Sequence, residues 1–109
     1  MLPLAPWGRG GPVATSALNS IWPMPTISVF FGVSIRMYFD EHGPPHFHAY
    51  YGGESVVVDI STLEVRGGRI SRRALAMVLE WASAHRRDLL ANWRRAEAQL
   101  ALERIAPLE

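Results

Sequence analysis

From Val33 to Phe39 apolar and polar positions alternate without a break. Val33, Ile35, Met37 and Phe39 fall on one side, and Ser34, Arg36, Tyr38 and Asp40 on the other. A period of two is that of a half-buried strand. Glu41 to Pro45 then turns the chain, because proline has no N–H to give to a ladder. A second strand is predicted over His46–Tyr51, with Phe47, Ala49 and Tyr51 toward the core and His46, His48 and Tyr50 away from it. Gly52-Gly53 supplies a hairpin turn, and a third strand, Ser55–Ile60, buries Val56, Val58 and Ile60. Ile27–Phe31 reads as a further strand that stops at Gly32. Thr62–Ile70, interrupted by Gly67-Gly68, reads as a small hairpin or loop.

From Arg72 the period becomes helical. Leu75, Val78, Leu79, Ala82, Leu89, Leu90, Trp93, Ala96 and Leu100 form one apolar stripe. Ser71 is placed to cap the first turn. No glycine or proline interrupts before Pro107, so one long helix, bent near His85, is the simplest reading. Together these elements predict an α+β domain: a small antiparallel sheet of three to four strands, covered on one face by one long C-terminal helix. The His-bearing face is then left open.

Residues 1–23 break from this patterning. They are rich in Pro, Gly, Ala and Ser without a period, and they lack the charged start and sustained apolar core of a secretory signal. They are expected to be a disordered or mis-assigned lead, with a single domain over residues 24–105.

With 109 residues the chain is long enough for one modest core. No apolar run is long enough to span a bilayer. The absence of cysteine excludes disulfides and thiolate metal sites, and a cytoplasmic location is expected. The net charge of +1 hides an asymmetry. Residues 66–95 carry eight Arg against two acids, while residues 1–65 carry two Arg against five acids. All eleven basic residues are Arg, whose planar fork suits phosphate and carboxylate.

Candidate chemistry concentrates in Asp40-Glu41-His42-Gly43-Pro44-Pro45-His46-Phe47-His48, which holds three of the four histidines. His46 and His48 stand at i, i+2, so they project from one strand face about 7 Å apart at the backbone. Paired with the preceding strand, that face gathers Arg36, Tyr38, Asp40, His46, His48 and Tyr50, with His42 in the turn and Asp59 alongside. Two imidazoles with Asp40 or His42 as a third ligand suit a divalent ion such as Zn²⁺ or Fe²⁺. A proton-transfer pair, a recognition surface, and histidines that merely stack on Tyr38 and Tyr50 remain open beside it. A second group, Arg69, Arg72 and Arg73, surrounds the predicted helix start, where free N–H groups favour an anion. Arg73, Arg87, Arg94 and Arg95 form a basic stripe on the outer helix face that suits nucleic-acid phosphates. Arg86 falls within the apolar stripe and calls for a partner, Glu64 or Asp59. No phosphate-binding glycine loop or nucleophile motif accompanies these groups.

Several pieces together resemble a bacterial family of small proteins of unknown function, DUF4160. They are Met24-Pro25-Thr26-Ile27-Ser28, Ile35-Arg36-Met37-Tyr38-Phe39, His42 through His48, Leu79-Glu80-Trp81-Ala82, His85-Arg86 and Asn92-Trp93, spread over Met24 to about Glu97. The resemblance implies a partner more than a reaction. Proteins of this kind are often encoded beside a second small protein (DUF2442-like), in an arrangement similar to toxin–antitoxin pairs. Three functions follow as expectations: a partner-binding module of such a pair, a metal-dependent hydrolase or nuclease built on Asp40, His46 and His48, or a nucleic-acid-binding regulator using the helix arginines. A homodimer is compatible with each.

Overall fold

The computed structural model describes residues 25–109. The expectation for residues 1–23 lies outside them. The described part is α+β, with five antiparallel strands in the order β1-β2-β3-β4-β5 and two helices. The strands are β1 (Thr26–Phe30), β2 (Val33–Arg36), β3 (His46–Tyr51), β4 (Glu54–Asp59) and β5 (Val65–Arg69); the helices are α1 (Arg72–Ala84) and α2 (Arg86–Glu97).

The alternation read from the sequence is the one that folds. Val33, Ile35, Met37, Phe47, Ala49, Val56, Val58 and Ile60 are all buried on one side of the sheet. β3 pairs with β2 through Arg36–His48 and Ser34–Tyr50, and with β4 through His46–Asp59 and Tyr51–Glu54. That last pair closes over Gly52-Gly53, where Gly52 has φ +61°.

Three details differ from the sequence expectation. The first is the fifth strand. Gly67 and Gly68 lie within β5 rather than breaking it, opposite Val57 and Val56. Gly68 has φ +75°, and a Cβ there would stand 2.2 Å from the Ser55 carbonyl oxygen. Only glycine lets the chain pass so close at that angle.

The second is the helix, which is two. His85 has φ −124° and ends α1 and begins α2. Its N–H donates to the Ala82 oxygen, and its own oxygen accepts from Leu89 N–H. The break changes the phase of the apolar stripe. Ala74, Val78, Trp81 and Ala82 are buried on α1, and Leu89, Asn92, Trp93 and Ala96 on α2. Trp81, outside the predicted stripe, is the largest fully buried side chain, and Leu100, inside it, is exposed. Arg86 is exposed and makes no ion pair with Glu64 or Asp59; its Nε donates to the Ile60 carbonyl at 3.1 Å. Ser71 does cap α1, its hydroxyl accepting from Ala74 N–H at 3.2 Å.

The third is the end of α2. Gln99 has φ +61°, its N–H donates to Ala96, and Leu100 N–H donates to Arg95. This is the paired-bond helix stop that glycine usually provides. The chain then folds back. Asn92 binds the backbone of Glu103 with both ends of its amide, at 2.8 and 2.9 Å. Trp81 Nε1 donates to Ala106 O at 2.8 Å. Ile105 N–H reaches Ile27 O on β1 at 2.8 Å. Among the described residues no helix is long and apolar enough to cross a membrane.

Candidate metal centre

The face of β3 opposite the core carries His46, His48 and Tyr50. It is more closed than the sequence implies. The segment after β2 folds back over it, so the side chains of His46 and His48 are only 13% and 16% exposed. The Gly43–Pro44 peptide bond within this segment is cis. The return brings Glu41, not Asp40, to the histidines. One carboxylate oxygen of Glu41, Oε1, lies 2.8 Å from Nε2 of His46 and 2.8 Å from Nε2 of His48. The three donor atoms lie within 4.8 Å of one another, and they form the one such cluster of three among the described residues. Asp40 is exposed and lines a shallow opening with His42, Gly43, Glu97 and Gln99. The carboxylate that the structure brings to His46 and His48 is that of Glu41, not of Asp40. The strand ends at Arg36, and beyond it the parity that seemed to place Asp40 beside the histidines no longer holds.

Hydrogen-bond accounting defines the state of this cluster. His46 Nδ1 lies 2.9 Å from Pro44 O. A carbonyl oxygen only accepts, so Nδ1 carries the proton. In a neutral imidazole Nε2 then holds a lone pair, and that lone pair faces a carboxylate oxygen. The contact is attractive when a proton, carried by either group, or a cation lies between the two atoms. Burial alone pushes the Glu41 carboxyl up, but the hydrogen bonds and charge of His48, then of His46, outweigh it and hold the group below its usual range.

Around the cluster the rings are close-packed. Trp93 of α2 stands 4.9 Å from His46, centroid to centroid. The Tyr38 ring meets His48 edge-on at 4.6 Å, and the Tyr38 and Tyr50 hydroxyls share a hydrogen bond. Burial and that bond push the Tyr50 phenol up to about 12, so it stays protonated. Arg36 lies over the Tyr50 ring at 4.2 Å. Arg36, Tyr38, His46, His48 and Tyr50 are thus brought together with Glu41. Asp59 stands apart: its carboxylate accepts from the Ser61 and Thr62 N–H groups and contacts Arg66 at 3.4 Å.

Of the arginines proposed for anions or nucleic acid, Arg69, Arg72, Arg73, Arg87 and Arg94 are exposed and Arg95 is half-buried, and they are divided among elements. Arg69 ends β5, Arg72 and Arg73 begin α1, and Arg87 and Arg94 lie beyond the break at His85. Arg95 turns back to donate to Ala101 O at 2.6 Å. They do not share one continuous helix face.

The family described as "Domain of unknown function (DUF4160)" matches residues 32–94, more than half of the chain. The chain belongs to this family. The matched region holds β2 to β5, α1, most of α2 and every residue of the Glu41 cluster. No curated protein and no solved structure matches the chain.

Proposed function

We propose that this DUF4160 protein binds one divalent transition-metal ion through Glu41, His46 and His48 and uses it in hydrolysis. The observation that carries this reading is the convergence of Glu41 Oε1 with two imidazole Nε2 atoms, with His46 held by Pro44 O in the tautomer that aims a lone pair inward. A backbone carbonyl on the far nitrogen is the usual way a ligating histidine is oriented. Two histidines and one carboxylate on one side of an ion leave its other positions for water and substrate. Ligands about 2.0–2.2 Å from an ion lie roughly 3.0–3.5 Å from one another; the two Glu41 contacts of 2.8 Å need to open only slightly, and all three donor atoms lie within 4.8 Å of one another. When bound, such an ion supplies Lewis acidity and a water that is acidic near neutral pH. The residues supply the fixed geometry, and Trp93 and Tyr38 wall the two histidines against water.

The test is titration of chelator-treated protein with Zn²⁺, Mn²⁺ and Co²⁺, read by calorimetry and by the Co²⁺ visible spectrum. About one ion per chain is expected, lost in Glu41→Ala and in His46→Ala and retained in Asp40→Ala. Binding that survives in His46→Ala, or is lost in Asp40→Ala, sinks the assignment.

A second reading, the partner-binding module of a two-gene pair, draws on a different feature. Phe31 is 62% exposed at the β1–β2 turn, beside Tyr51, Arg73 and Met77. An exposed aromatic there suits a protein partner, such as a DUF2442-like protein. Co-expression with such a protein and loss of co-purification in Phe31→Ser would support it; an unchanged complex would remove Phe31 from the interface.

A further inference from the structure

Arg36 is the cation beside His48 that the metal reading leaves without a task. It is the direct cross-strand partner of His48, so neighbouring strands bring its stem alongside a proposed ligand. Its head is fixed in two ways. The guanidinium lies 4.2 Å over the Tyr50 ring, and Nε contacts Ser34 Oγ at 3.3 Å. Neither contact neutralises its charge. No carboxylate among the described residues forms an ion pair with it, and the Glu41 carboxylate on this face is held by both histidines. The half-buried guanidinium therefore keeps a positive charge that an anionic ligand can meet. Stacking on Tyr50 and tethering through Nε leave the two terminal nitrogens as a prepared fork.

The local charge gives the class of ligand. A divalent ion, the Glu41 carboxylate and the Arg36 guanidinium together leave two positive charges on one side of the sheet. The Tyr38–Tyr50 hydroxyl pair sits between His48 and Arg36 and adds polar atoms but no charge. We infer that Arg36 binds the phosphoryl group of a phosphate-ester substrate beside the Glu41–His46–His48 centre. The inference rests on the metal reading and extends it to a substrate. Arginine's planar fork matches two oxygens of a phosphoryl group at once, which lysine cannot do. Arg36 is here a substrate-binding residue, and no proton transfer is assigned to it.

The experiment uses metal-loaded protein with inorganic phosphate as the probe. The Co²⁺ spectrum and calorimetry read phosphate affinity, and hydrolysis of bis(p-nitrophenyl) phosphate and of p-nitrophenyl acetate reads the choice of ester. Arg36→Ala should weaken phosphate binding at least about tenfold, the loss of one charge-assisted contact, while metal affinity stays within about twofold. Arg36→Lys, which keeps the charge and stem but not the fork, should lie between the two and guards against a folding defect in the alanine variant. The diester should be the better substrate, with the loss in Arg36→Lys falling on KM. Unchanged phosphate affinity in both variants, with metal still bound, overturns the role of Arg36 and leaves the metal centre standing. Acetate competing as well as phosphate, or the carboxylic ester being the better substrate, overturns the phosphate class. A wild-type protein that binds no metal overturns both readings together.

Discussion

The two faces of β3 differ by one residue in register and by everything else in chemistry. Phe47 and Ala49 point into a core shared with Trp81, Val56 and Val58, where complementary packing sets the energy. His46, His48 and Tyr50 point the other way, into a half-buried layer of rings held by hydrogen bonds. The first face stabilises the fold through area removed from water. The second removes polar groups from water and recovers only part of that cost through their mutual contacts. A hairpin that needed only to fold would be served by ordinary β-formers on its outer side. The outer face is therefore where function is to be sought, and Trp93 is the residue that touches both sides, buried in the core cluster and packed on His46.

Trp81→Ala should break the comparison from the apolar side. The loss should be about 3–5 kcal/mol, a large part of the stability of so small a domain, read by urea unfolding. A loss below about 1 kcal/mol would mean that the core does not centre on this ring. Trp93→Phe is a sharper probe because it tests the link between the faces. It should cost about 1–2 kcal/mol and weaken metal binding roughly tenfold by loosening His46. Unchanged metal affinity would show that the faces act independently. His46→Ala combined with His48→Ala should cost only about 1–2 kcal/mol in metal-free protein yet abolish the rise in melting temperature expected when Co²⁺ or Zn²⁺ is added to the wild type. A collapse by several kcal/mol would make the histidines part of the scaffold instead.

The smallest effect concerns acid. Glu41 is held below its usual range in the folded chain, so its contacts contribute stability that is fully present above the ordinary carboxylate range and is lost as pH falls through the folded value. Asp59, lowered chiefly by the Thr62 N–H, adds a contribution of the same sign on the opposite strand. Stability of metal-free protein should therefore fall from about pH 5 to pH 3, and Glu41→Gln should make that fall shallower. An identical pH profile in the variant would show that the carboxylate gains nothing from the two imidazoles.

The sequence made one part of this legible and hid another, for physical reasons. Period two through residues 33–36 and 46–51 marks both faces, and Gly52-Gly53 and Ser71 mark a turn and a cap, because each obeys a local rule. The contact of Glu41 with the two histidines is not legible because Glu41 stands in a returning segment, where parity along the strand no longer tells direction. The stop at Gln99 carries no glycine, and the break at His85 carries neither glycine nor proline. Both are imposed by tertiary packing: the segment after α2 is drawn back onto Trp81, Asn92 and β1. Trp81 fell outside the stripe because that stripe was drawn for one continuous helix.

The returning segment also bears on how the protein is made. Ile105 N–H bonds to Ile27 O and so partly covers β1, a strand at the edge of the sheet. During synthesis residue 27 leaves the ribosome long before residue 105. Throughout that interval β1 lacks the bond from Ile105, and its edge is more open to joining other nascent chains. Codon-level slowing just downstream of α2, or a shortage of chaperones that shield extended segments, should thus raise the yield of aggregate without altering the stability of the molecules that finish.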